Sequence, residues 1–135
     1  MSGVKIIRAL LVADSALIAL VPATRVIAGV LPQATALPAI AVTEVSATEI
    51  DRIDAQATHT LVTARVQVTV FASTYPTQKT ILDAARKACN YQRGSVASLT
   101  VVSVRRGSNG PDFNDPDTGF FMQSVDFLVT YHEAN

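Results

Sequence analysis

The chain has 135 residues, 49% of them apolar and only 16% charged, so it is long and apolar enough to bury a core and is not composed like a disordered segment. Eleven Lys and Arg balance eleven Asp and Glu, which removes the electrostatic case for nucleic-acid or membrane affinity and leaves little self-repulsion against association. A single cysteine, Cys89, excludes an internal disulfide and a thiolate-rich zinc site, and the length is that of one domain over 1–135.

Lys5 and Arg8 precede the apolar run ALLVADSALIALV, which has the outline of a secretory leader. Asp14 and Ser15 interrupt it, however, and Ile7, Leu10, Leu11, Leu17, Ile18 and Val21 recur at helical spacing. The run therefore reads as an amphipathic core helix over 3–21, with Asp14 placed to cap a second short helix and Pro22 to end it. No stretch reaches the ~18 apolar residues of a membrane span, and a soluble protein without a membrane partner is expected.

RVIAGV (25–30) reads as a short strand, LPQATALP as an extended connection set by two prolines, and AIAVTEVSA (39–47) as a second strand. The polar, charged stretch 48–60 reads as a loop. LVTARVQVTVFA (61–72) gives the clearest pattern: Val62, Ala64, Val66, Val68, Val70 and Ala72 share one face, while Thr63, Arg65, Gln67 and Thr69 share the other. Such alternation predicts a half-buried antiparallel strand, its Arg65 and Gln67 face left to water or to a partner.

Thr74 and Pro76 then open a helix over 76–92, with Ile81, Ala84 or Ala85, and Ala88 on its inward stripe and Cys89 as a small core residue. VASLTVVSVRRGS (96–108) alternates poorly, as a strand does when it is buried on both faces or bulged. NGPDFNDPDTG (109–119) is dense in turn formers, and the last strand covers 119–132 with Phe121, Val125, Phe127, Val129 and Tyr131 on one face. The predicted fold is α+β: one mainly antiparallel sheet with two helices packed on one face, in the order α-β-β-β-α-β-β, ending in a long C-terminal hairpin.

That last strand is long. Fourteen extended residues span roughly 46 Å, against a diameter of about 36 Å for a compact chain of this length. It is expected to bend sharply, or to carry the acidic loop outward at the tip of a two-stranded arm. Asp112, Phe113, Asn114, Asp115 and Asp117 would then form a partner surface, with Phe113 as its apolar anchor.

No catalytic constellation accompanies these elements. Asp115-x-Asp117-x-Gly119 begins like a calcium loop, but Phe120 stands where that loop needs glycine, so a solvated or partner-facing turn is the better reading. Gly107 and Gly110 lack the Lys-Ser/Thr of a phosphate loop, and there is no nucleophile elbow or zinc-protease motif. Arg105 and Arg106, with Arg86, Lys87 and Arg93, have no interleaved aromatic platform and read as a solvated face. No cofactor and no metal site is expected. A small ligand-binding or enzymatic domain, working from a cleft between helices and sheet, is the alternative to a structural role.

The helix, RVIAGVLPQATALPAIAV, ARVQVTVFASTY leading into an Ala-rich helix, and DPDTGFFMQSVDFLVTYHE, in this order, resemble the tail completion or tail terminator proteins of long-tailed phages and prophages. The similarity covers nearly the whole chain. It implies a non-enzymatic virion protein that forms a ring with itself, typically a hexamer, at the head-proximal end of the tail. The implied partners are the tail tube protein and the head–tail connector protein, with DNA only passing through the lumen.

Overall fold

The two N-terminal helices follow from where the apolar stripe is interrupted. The structure, a computed structural model, describes residues 2–32, 36–50, 59–116 and 118–134. Helix α1 (Ser2–Ala13) buries Gly3, Ile6, Ile7 and Leu11, and α2 (Ser15–Leu20) buries Leu17. Between them Asp14 is extended, and its carboxylate accepts a hydrogen bond from the Leu17 amide at 3.0 Å, which satisfies an otherwise orphaned donor. Pro22 follows, and a 3-10 turn over Ala23–Arg25 leads into β1 (Val26–Ala28), shorter than the predicted 25–30.

β1 pairs parallel with β2 (Ala39–Ile50), and β2 pairs antiparallel with β3 (His59–Ala72) from Ala39 opposite Phe71 to Ile50 opposite Leu61, bulging between Glu44 and Ser46. Residues 48–50 and 59–60 are thus strand, where the sequence pattern predicts loop. Their polar side chains lack apolar alternation because β2 is exposed at this end, although Val62 and Ala64 across from it are buried; cross-strand pairs such as Thr48 opposite Thr63 form all the same. The rest of the predicted loop, 51–58, lies outside the described residues.

Helix α3 (Tyr75–Cys89) starts as predicted: the Thr77 amide donates to Thr74 Oγ1 at 3.4 Å, and Pro76 sits in the first turn. It ends at Cys89 rather than 92, since Tyr91 takes a left-handed φ of 57°. Its buried stripe is fuller than expected, with Gln78 and Leu82 joining Ile81, Ala85, Ala88 and the expected Cys89.

The predicted strand 96–108 begins only at Leu99, and its first residue, Val96, ends a short separate strand. β4 (Gly94–Val96) folds onto β5 (Leu99–Asn109) through Ala97 and Ser98, both left-handed at φ 52° and 66°. A two-residue turn of that kind normally carries Asn or Gly, so Ala-Ser conceals it in the sequence. β5 shifts register between Val101 and Ser103 and again between Arg106 and Asn109, which is the bulging that blurs its alternation. β6 (Phe113–Asn114) and β7 (Phe121–Ala134) complete a seven-stranded sheet in the order β1-β2-β3-β7-β5-β4, with β6 also on β7.

The element order is therefore α-α-β-β-β-α-β-β-β-β, and the long strand is not half of a projecting arm. β7 is central: it pairs with β3 from Phe121 opposite Ala72 to Ala134 opposite His59, and with β5 on its other side. Its length is matched by that of β3. The predicted valine face is buried as expected: Val62, Ala64, Val66, Val68 and Val70 join Val125, Phe127, Val129, Tyr131 and the apolar side of the helices in one cluster. α1 lies close enough that a Cβ on Gly3 would stand 3.0 Å from Ala64 Cβ and 3.1 Å from Val66 Cγ2.

Candidate functional site

The opposite sheet face is half-buried and polar. There Arg65 Nη1 reaches Asp126 Oδ2 at 3.1 Å, Thr63 and Thr130 pair their hydroxyls at 3.1 Å, and Gln67 donates to Thr69 Oγ1 at 3.2 Å. Period-2 alternation puts these groups together, because each cross-strand pair of β3 and β7 shares a face. A shallow open depression of about 330 Å³ crosses this face, lined in part by Leu31, Thr43, Gln67, Phe71, Met122 and Ser124. Arg65 and Gln67 therefore stand on one surface, held by neighbours within the sheet.

The acidic loop is folded back onto its own helix. Asp112 accepts from Tyr75 Oη at 2.8 Å and pairs with Lys79 Nζ at 2.7 Å. Lys79 also donates to Gln123 Oε1 at 2.6 Å, and Gln123 Nε2 donates to the Gly110 carbonyl at 2.9 Å. The Tyr75 ring meets Phe121 edge-on with centroids 6.0 Å apart, and the Lys79 ammonium lies 5.1 Å from the centroid of the same ring. Hydrogen bonds from Lys79 and then Tyr75 hold the Asp112 carboxyl below the usual carboxylate range, and the Asp112 bond raises Lys79 in return.

Further along, Asn114 Nδ2 donates to the Gly119 carbonyl at 2.9 Å, the Asp115 amide to the Phe120 carbonyl at 2.9 Å, and the Gly119 amide to the Asp115 carbonyl at 2.7 Å. Gly119 takes φ 76°, as this turn requires. Phe113 places its backbone opposite Met122 in β6, while its side chain, the expected anchor, lies outside the described residues, as does Asp117. The structure thus gathers Asp112, Asn114 and Asp115 in one loop, whose Pro111 lines the same sheet-face depression as Gln67. Sequence reading missed Tyr75, Lys79 and Gln123 as the groups that hold the loop, because Tyr75 and Asp112 are 37 residues apart and form no local motif.

The middle of the space between helices and sheet is filled, while an open depression of about 480 Å³ remains at its edge between α1 and β2, lined by Val4, Lys5, Arg8, Val42 and Glu44. Ile6, Ile7, Leu11, Ile81 and Ala85 occupy the space against the sheet with no exposed surface. Cys89 is fully buried, and burial, aided by the Asp14 carboxylate, pushes its thiol far above the ordinary range, so it is no nucleophile. Among the described residues, no three His, Cys, Asp or Glu side chains come together, and no helix is long and apolar enough to cross a membrane.

A family model described as tail completion protein gp17 matches residues 5–132. The chain belongs to that family. Its class is a non-enzymatic structural component of phage tails, and a tail completion protein of this kind assembles with other tail and head proteins of the virion. No curated protein matches the chain. Among solved structures, a chain described as part of the virion of a native gene transfer agent particle has the same fold, with a TM-score of 0.69 at 14% identity over 96% of this chain and 94% of that one.

Proposed function

We propose that this tail completion protein acts as a single domain and forms a ring of identical copies, six in number, at the head-proximal end of the tail tube. There it stops tube polymerisation and provides the surface to which the head connector joins, with DNA passing through the lumen. The family match over residues 5–132 carries this reading. A sheet with one face sealed by its core and the other left polar supports it. The loop bearing Asp112, Phe113, Asn114, Asp115 and Asp117, together with the Arg65 and Gln67 face, serves in this proposal as contact surface for the tube or the connector. A loop already tied down by Lys79 and Tyr75 loses little freedom on docking, which favours binding.

Near-zero net charge permits self-association without forcing it. The chain is expected to be monomeric or weakly associated when dilute and to form rings when concentrated or offered tail tube. In a phage lacking it, electron microscopy should show overlong tails or tails without heads. Normal tails of normal length, joined to heads, would refute the role.

A further inference from the structure

The sheet ends in two open edges of opposite charge. β1 covers β2 only at Ile40, Ala41 and Val42, and among the described residues 46–50 pair with β3 alone. This stretch carries an exposed Glu49 and follows the bulged Val45, which has 53% of its surface exposed. At the far side β4 covers β5 at Leu99, Thr100 and Val101, and the Tyr91–Gln92 backbone closes on Val104 with bonds of 2.9 and 3.0 Å. Beyond that, among the described residues, 105–109 pair with β7 alone, and Arg105 and Arg106 are exposed. Tyr91 and Val102, both exposed, line the same shallow groove as Arg105.

Strand polarity makes these two edges complementary. β2 to β3, β3 to β7 and β7 to β5 are three antiparallel steps, so β5 runs opposite to β2. A second copy placed beside the first with the same face inward therefore brings its β2 antiparallel to the first copy's β5. Every copy then offers one acidic and one basic edge, the arrangement of a head-to-tail contact that repeats around a ring. A bare edge is ordinarily an aggregation hazard; here a bulge and like charges discourage β2 from pairing with β2, or β5 with β5.

The levels of the two stretches add a second argument. Through β7 and β3, Arg105 lies level with Leu128, Arg65 and Ser46, and Asn109 with Val125, Val68 and Val42. The centre of 105–109 thus falls near residue 44, about four residues from the centre of 46–50. Pairing the two stretches makes consecutive copies step along the strand direction, and stagger of this kind is what closing a sheet around an axis demands.

We propose that residues 46–50 of one copy pair antiparallel with residues 105–109 of the next, with Glu49 facing Arg106, as the contact that closes the ring: through Val62 and Phe127 respectively, both side chains stand on the core-side face of the sheet. This rests on the ring reading above. Five residues of strand pairing bury less than the ~800 Å² per partner of a stable standard interface. Assembly therefore depends on concentration or on the tube as a template.

Two charge reversals test it: Glu49→Arg and Arg106→Glu. Sedimentation and negative-stain imaging are run at concentrations, or with added tail tubes, at which the unaltered chain forms rings. Each reversed chain alone should need at least about tenfold more protein to assemble, because like charges then meet at every junction. Mixed in equal amounts, the two should form rings of alternating subunits, since each acidic edge again meets a basic one. Melting temperatures should match the unaltered chain, as both side chains are exposed. Reversed chains that assemble normally alone, or fail to co-assemble when mixed, overturn the edge pairing and leave the ring standing. An unaltered chain that never forms rings, with or without tubes, overturns both.

Discussion

Val66→Asp tests the sheet against its two unlike faces. Val66 is fully buried between Glu44 of β2 and Phe127 of β7, with α1 pressed on it at Gly3. The change removes about 2 kcal/mol of apolar burial and adds several kcal/mol for a carboxyl with no partner. Together these approach the ~5–15 kcal/mol that holds a whole domain. The variant should be unfolded at 25 °C or melt about 15 °C or more below the parent by circular dichroism. The neighbouring Arg65→Ala removes only the 3.1 Å pair with Asp126, whose side chains are 40% and 20% exposed, worth at most about 1 kcal/mol. It should melt within about 5 °C of the parent. The pH dependence has a definite sign. Burial raises the folded pKa of the introduced carboxyl above its unfolded value near 3.9, so the neutral form fits better and the gap to the parent narrows as pH falls towards about 4. Equal melting temperatures for the two variants at pH 7 would refute the assignment of faces.

Gly3→Leu should lower the melting temperature by about 4–10 °C, the result of about 1–3 kcal/mol of overpacking against Ala64 and Val66, whereas Gly3→Ala, needing a shift of a few tenths of an ångström and gaining helix propensity, should be near neutral; equal effects would mean α1 is not seated there. Asp112→Asn should loosen the 109–120 loop, seen as faster amide exchange at Gly110 and Gly119. Because Asp112 is held below its ordinary pKa by Lys79 and Tyr75, its contribution is present above about pH 4 and lost as pH falls through the lower folded value. A difference between parent and variant that stays constant from pH 7 down to pH 2 would sink the clasp.

What the sequence revealed and what it hid divide by the range of the interaction. Asp14 and Thr74 cap helices through bonds to residues three positions on, so their roles are written locally. The β3 alternation is equally local, since one buried face imposes period 2 on any strand. Ala97 and Ser98 show the limit of that logic: they take left-handed turns without the residue types that announce them, so the predicted strand 96–108 hides a turn at its start and begins at Leu99. Strand partners are further out of reach. β7 sits between β3 and β5 because side-chain faces match across more than sixty residues of chain, as in Arg65 with Asp126, and no window of the sequence contains both. The projecting arm failed for this reason: strand length was legible, but the neighbour supporting it was not. The family was legible because it rests on the order of several short stretches along the chain rather than on any contact, and the match over residues 5–132 spans them all. The acidic and basic edges belong to the hidden class. Glu49 and Arg105 become opposite ends of one sheet only once β3 and β7 stand between them, and the sequence alone made Arg105 and Arg106 look like an ordinary solvated pair.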